Sequence, residues 1–299
     1  MTNRQSISAH PDRRPYGSRV GIILGEGDAF GFEGDSSLLV SRDIIVTLRP
    51  QKQLYGDYEV QKLDALVEGF STAGEAENAG LKFAASILWV SISMGSPLRL
   101  QYHTPLPCAV YDRTQSRRVF ASFDALVSRT SGAAGVVKVL DELFSSDISI
   151  DRNTLLSMEL FASARLESTE RAKFINLVSS LEPMAEQQLL GVEVANHTDN
   201  MLTALENNTL IPDALKPSLS GRIRDLNRES VSQAIARLIQ TRLPDDLGAL
   251  ENVREAYSIR SKLLHEGTIE ADLRQKGREI EAVIRRLFAA IIGLQPRAT

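Results

Sequence analysis

Arg260 and His265, the ends of the run Arg-Ser-Lys-Leu-Leu-His, are the residues of this chain best suited to chemistry. A guanidinium grips a phosphate or carboxylate through a planar fork of donors, and imidazole gives and takes protons near neutral pH. Around them Leu250, Val253, Tyr257 and Leu264 recur at steps of three and four, which predicts a helix from Leu247 to His265 with one buried stripe. Arg260 falls on that stripe. An unpaired guanidinium among apolar neighbours is costly, so the position demands a carboxylate, a phosphate or a water-filled interface. Glu182, which follows the apolar run Phe174 to Leu181, is the candidate carboxylate, and a solvated helix glutamate is the alternative. His265 stands at the predicted helix end with Gly267 as its cap. Helix-end carbonyls there favour imidazolium and so proton donation. The two side chains lie about 140° apart around an ideal helix. They reach one groove only if it lies between stripe and flank, or if the helix end turns His265 inward; both arrangements stay open.

The elements that must position this pair are helical. From residue 134 onward the expected helices are Val136 to Ser145, Thr154 to Glu167, Glu170 to Leu190, Thr198 to Glu206, Leu219 to Arg242, Leu247 to His265 and Ile269 to Leu294, with Pro183, Pro212, Pro217 and Pro244 as punctuation. Ahead of the run Ser131-Gly132-Ala133-Ala134-Gly135 the texture differs. Val20 to Leu24, Ser37 to Val40, Ile44 to Leu48, Leu98 to Tyr102, Cys108 to Tyr111 and Arg118 to Ala121 read as strands. Between them a buried helix, Glu75 to Met94, is closed by Gly95 and Pro97. The expected organisation is a tail over 1–17, an α+β domain over 18–133 and an all-helical domain over 134–299.

Composition narrows the classes. A chain of 299 residues with 43% apolar content suits two cores better than one. The net charge of −4 exerts no global pull on nucleic acid, so any such contact rests on a local basic patch. One cysteine, Cys108, excludes an intrachain disulfide or thiolate-rich metal site and suits a reducing compartment, so a cytoplasmic location is expected. The first residues hold no apolar segment, and the run Phe83 to Met94 is too short and too interrupted by serines to span a bilayer. Gly25-Glu-Gly-Asp-Ala-Phe-Gly31 has the wrong spacing for a dinucleotide loop, and there is no Walker loop, HExxH or Gly-x-Ser-x-Gly. No metal or other cofactor is expected.

Ala256-Tyr-Ser-Ile-Arg-Ser-Lys-Leu-Leu-His-Glu-Gly267 resembles the signature helix end of the HEPN family, in particular its ApeA-like branch. Phe174 to Glu182 and Ser218 to Ile223 also resemble elements of that branch, so the likeness covers much of 134–299. The resemblance implies an all-α HEPN-like bundle that dimerises so that two Arg-x4-His motifs share one cleft. It further implies metal-independent RNA cleavage, with a ribose 2′-hydroxyl attacking the adjacent phosphate. His265 is then the general base or acid, and Arg260 holds the phosphate and stabilises charge on its oxygens. Many active members carry Asn or Asp after the arginine; here Ser261 is polar but shorter and not ionisable. Glu182, as the candidate partner, is able to orient the Arg260 fork, and a solvated helix glutamate remains the alternative. Tyr257 either stacks on a base, donates to phosphate or packs in the core. Lys262 is a candidate RNA-backbone contact. The run Arg222, Arg224, Arg228, Arg237 and Arg242 either tracks phosphates or forms a salt-bridged solvated face.

The leading expectation is thus a homodimeric endoribonuclease, a defence or toxin-type hydrolase acting on RNA. The alternative is a non-catalytic HEPN module that dimerises, binds a partner or holds a nucleotide. A third reading is an inactive partner of an antitoxin nucleotidyltransferase. An open, positively lined cleft favours the nuclease, and an Arg260 sealed in a salt bridge favours the module.

Overall fold

In the computed structural model, the described residues are 14–25, 29–30, 36–41, 44–55, 58–95, 97–102, 105–114, 130–131, 140, 150–267 and 270–293. The expected strand Arg118 to Ala121 lies outside them. So do the helix Val136 to Ser145 and the boundary run 131–135, apart from Leu140 and Ser131. Of the expected tail, residues 1–13 lie outside as well.

Val20, Ile22 and Leu24 alternate along β1 (Tyr16–Leu24) and are buried, as a strand with one face in the core requires. This strand organises an antiparallel sheet. On one side it pairs with β5 (Tyr58–Phe70), which pairs in turn with β4 (Ile44–Tyr55) and, through β4, with β3 (Ser36–Ser41). Its other edge is shared by two short strands. β6 (Leu98–Gln101) pairs with Gly21 to Leu24 and β7 (Ala109–Asp112) with Tyr16 to Arg19. Two short strands, β2 (Ala29–Phe30) and β8 (Thr130–Ser131), form a separate parallel pair. The long β4–β5 hairpin is only partly anticipated: β5 carries Leu63, Ala65 and Val67 on one face, but Lys62 and Asp64, also buried, blur the alternation. Asp64 accepts from Arg19 at 2.8 Å on that second face.

α1 (Ala73–Met94) covers the core face of the sheet. Thr72 and Glu75 form its capping box, and Gly95, at φ 77°, ends it. The helix crosses β1 closely at Gly80, where a Cβ would stand 2.7 Å from Ser18 Oγ and 2.9 Å from Cys108 Cβ. Its other side packs on α2 (Arg152–Ala164). The hydrophobic core therefore runs without a break from the sheet through α1 into the helical half. Two polar links reinforce that seam: Tyr102 donates to Glu159 at 2.6 Å, and Arg165, itself held by Glu281, donates to the Ser91 carbonyl.

The helical half continues as α3 (Glu170–Ser179), a 3-10 turn (Glu182–Met184), α4 (Val192–Glu206), α5 (Lys216–Asp225), α6 (Val231–Arg242), α7 (Leu247–Glu266) and α8 (Leu273–Ile292). An α+β sheet region followed by helices is thus what the chain forms. Three expected helix spans need correction. The span Glu170 to Leu190 breaks after Ser179, because Pro183 cannot donate to a continuing ladder and the turn there is 3-10. The span Leu219 to Arg242 is two helices. Lys216-Pro217 starts the first, and a Ser230–Gln233 capping box starts the second. Finally, α4 begins at Val192 rather than at Thr198.

Among the described residues no helix is long and apolar enough to cross a membrane.

Candidate functional site

α7 is fixed at both ends. Asp246 accepts from the Ala249 amide at 3.0 Å, and Gly267 closes the helix at φ 75° with its N–H on the Leu263 carbonyl. Its buried residues are Ala249, Val253, Ala256, Ile259 and Leu263, with Leu250 and Tyr257 half-buried against the core. Leu264, expected on the buried stripe, is 53% exposed. The buried stripe therefore runs through Ala249, Val253, Ala256, Ile259 and Leu263, and its last member is Leu263 rather than Leu264.

Arg260 follows Ala256 by one turn and precedes Leu263 by nearly one, so it sits at the edge of the inner stripe. Its Nη1 lies 2.7 Å from Glu182 Oε1, with side chains 18% and 34% exposed respectively. The guanidinium also lies over the Tyr257 ring, 5.6 Å from the centroid. Its Nε is buried and has no hydrogen-bond partner. Glu182 and Tyr257 are thus both brought to Arg260. The carboxylate comes from the 3-10 turn that follows the break after α3.

His265 is exposed in the last turn of α7, and Ser261, beside Arg260, is half-buried. One residue at this end was not anticipated. Arg171, in the first turn of α3, donates from Nη2 to the Gly267 carbonyl at 2.8 Å. The signal for it was faint: a cation in a helix's first turn opposes that helix's own dipole, and here it serves the C-terminus of another. α3 runs antiparallel along α7, so its start meets the end of α7 and the turn after it meets Arg260.

Lys262 is exposed on the opposite side of α7 from Arg260. It lines a groove of about 740 Å³ with Glu255, Ser258, Ile259, Glu266, Glu270 and Ala271. Three carboxylates share that groove, and Glu255 is paired with Lys276 at 2.8 Å. Of the expected basic run, Arg237 is taken up by Glu229 at 2.9 Å and by the Glu186 carbonyl, whereas Arg222, Arg224 and Arg228 are exposed far along the chain from α7.

Away from this site, burial and then the charge of Glu77 push the Cys108 thiol up to about 11, so it stays protonated and a poor nucleophile near neutral pH. Among the described residues no cluster of His, Cys, Asp and Glu is grouped to hold a metal ion.

Compared with protein-family models, with curated proteins and with solved structures, the chain has no match. Fold and site together define a class: a helix-covered antiparallel sheet continued into a helical assembly, with an arginine–glutamate pair and a helix-end histidine on one helix.

Proposed function

We propose that the chain is an endoribonuclease that needs no metal and works as a homodimer, with Arg260 and His265 from both subunits around one composite site in a HEPN-like bundle. The observation that carries this reading is Arg260. It is held at the edge of a buried stripe by Glu182 and Tyr257 with its side chain still 18% exposed, and a solvent-facing histidine stands at the end of the same helix. A guanidinium oriented in this way meets a phosphate at little further ordering cost.

In the reaction, one His265 takes the proton of a ribose 2′-hydroxyl as its oxygen attacks the adjacent phosphorus. The bond to the 5′-oxygen breaks, and the partner subunit's His265 protonates the departing oxygen. The products are a cyclic phosphate and a 5′-hydroxyl. Arg260 stabilises the charge on the non-bridging oxygens, and Glu182 keeps its fork in place. Arg171, through the Gly267 carbonyl, steadies the helix end that carries His265. A role as a defence or toxin-type effector, with or without an antitoxin partner, goes with this reading.

A second reading has its own support. The Glu182 pair already occupies one arm of the Arg260 guanidinium, and the groove around Lys262 is acidic, so a non-catalytic module that dimerises or binds a partner through α7 also fits.

Cleavage of end-labelled total RNA in EDTA by wild-type, Arg260→Ala and His265→Ala protein separates the two. Cyclic-phosphate ends from wild type alone are expected, with activity at least roughly 100-fold lower in each variant. A His265→Ala protein that cuts as fast as wild type would sink the mechanism, and no cleavage by any of the three transfers the case to the module.

A further inference from the structure

Among the described residues two glycines inside helices are buried, and for opposite reasons. Gly80 lets α1 come down on β1, with no room for a Cβ beside Ser18 and Cys108. Gly277, in the second turn of α8, is buried as well, yet nothing stands within 4 Å of where its Cβ would be. A glycine inside a helix costs stability relative to alanine; a packing contact accounts for Gly80 and leaves Gly277 without a reason. Its missing side chain opens onto a cavity of about 230 Å³ between α3 and α8. The buried Phe174 and Gly277 form the floor, and Glu170, Lys173, Arg274 and Arg278 form the rim.

That rim is cationic. Lys173 comes from α3, and Arg274 and Arg278, one turn apart, come from α8. The acid, Glu170, is taken up by Arg274 at 3.2 Å. Lys173 reaches a carboxylate, Glu281, only at 4.0 Å, and Glu281 is already held by Arg165 and, at 3.0 Å, by Arg285. Arg278 is exposed and makes no ion pair or side-chain hydrogen bond among the described residues. Two cations, one from each helix, therefore line the cavity without a close counter-ion. Both helices also begin beside it, Glu170 and Leu273 being their first residues, so their positive ends add to the same field.

We propose that this cavity is a phosphate-binding site, in which Lys173 and Arg278 grip the phosphate oxygens and Gly277 leaves the room for them. A carboxylate offers two oxygens in one plane and suits a single guanidinium, whereas a phosphate spreads its oxygens around a tetrahedron and suits cations arriving from two helices. The volume lies below the roughly 300 Å³ at which clefts begin to enclose a whole small molecule, so the cavity admits a phosphate group and leaves its carrier outside. That carrier is a small phosphoester or a nucleic-acid strand. The first turn of α3 also holds the end of α7 through Arg171 and the Gly267 carbonyl, so a strand bound here would lie beside the helix end that carries His265. No residue of the cavity belongs to the Arg260–His265 pair, and the inference stands whether or not the chain cuts RNA.

The test is titration calorimetry of the full chain with inorganic phosphate, at constant ionic strength balanced by chloride. Wild type should show saturable binding at one site. Lys173→Gln combined with Arg278→Gln should weaken it at least roughly tenfold while leaving far-UV circular dichroism unchanged. Gly277→Leu, which fills the cavity from its floor, should weaken binding as much, with a urea midpoint at or above that of wild type because leucine is the better helix former. No saturable binding by wild type overturns the proposal, as does binding unchanged in the charge variant. Binding lost in the charge variant but kept by the Gly277→Leu protein overturns it as well, since exposed cations would then hold phosphate without the cavity. A 2′-O-methyl RNA oligonucleotide, which offers no 2′-hydroxyl for cleavage, tells the carriers apart. Its competition with phosphate on wild type identifies a strand site, and phosphate binding without that competition identifies a small phosphoester.

Discussion

Two arginines of this chain are each held by a carboxylate and an aromatic ring but differ in exposure. Arg260 lies at a half-open edge, held by one carboxylate and one ring, with its side chain 18% exposed. Arg165 is sealed, with its guanidinium over Phe161 and bonded to Glu281, which also serves Arg285 at 3.0 Å. Burial alone would raise the Glu281 carboxyl. The charge of Arg165 and its hydrogen bond, then the charges of Arg285 and Lys173, outweigh that effect and hold it below the usual carboxylate range. A depressed acid stabilises the fold fully above its unfolded value, and that share is lost as pH falls through the lower folded value. Glu281→Gln should therefore cost about 3–5 kcal/mol near neutrality, because it strands a buried cation, and should flatten the decline in stability below the carboxylate range. Urea titrations at a series of pH values check this. Equal losses at all pH values for variant and wild type would mean that Glu281 is not the group titrating.

At the scale of elements, α7 presents its histidine only because its last turn stays wound. Gly267 holds that turn at a positive φ, and nothing lies within 4 Å of where a Cβ would be, so replacing it costs backbone conformation alone. Gly267→Ala should lower stability by about 1 kcal/mol and speed amide exchange at the Gly267 N–H, measured by denaturant midpoint and by hydrogen exchange. An unchanged midpoint would show that the Arg171 bond to the Gly267 carbonyl holds the turn by itself. Elements were readable where the local signal was strong. The Glu75 to Met94 and Leu247 to His265 spans match α1 and α7 to within about two residues. Breaks inside apolar runs were not readable in the same way: Phe174 to Leu190 keeps a helical pattern across the point where the backbone leaves the helix, and only Pro183 marks it.

The molecule as a whole should unfold in one step, since α1 touches both the sheet and α2 and the core crosses that seam. Trp89, the sole tryptophan, is buried in α1 and reports on the seam. Its fluorescence and the far-UV circular dichroism should give coincident urea transitions. If the fluorescence change comes first, by more than the fitting error, sheet and helices are separate cooperative units and α1 belongs to only one of them.

The order of strands before helices and the ends of α1 and α7 were set by sequence alone, as was the need for a partner at Arg260. These are local matters: caps, prolines and apolar period act within a turn or two, and a charge on an apolar stripe requires compensation wherever the chain goes. Tertiary structure decided the rest. That Glu182 is the partner, that Arg171 of one helix caps another and that Lys262 faces an acidic groove all depend on contacts between segments far apart in sequence. No spacing rule reaches that distance, because the energy that selects such contacts comes from the packed core and not from the local chain.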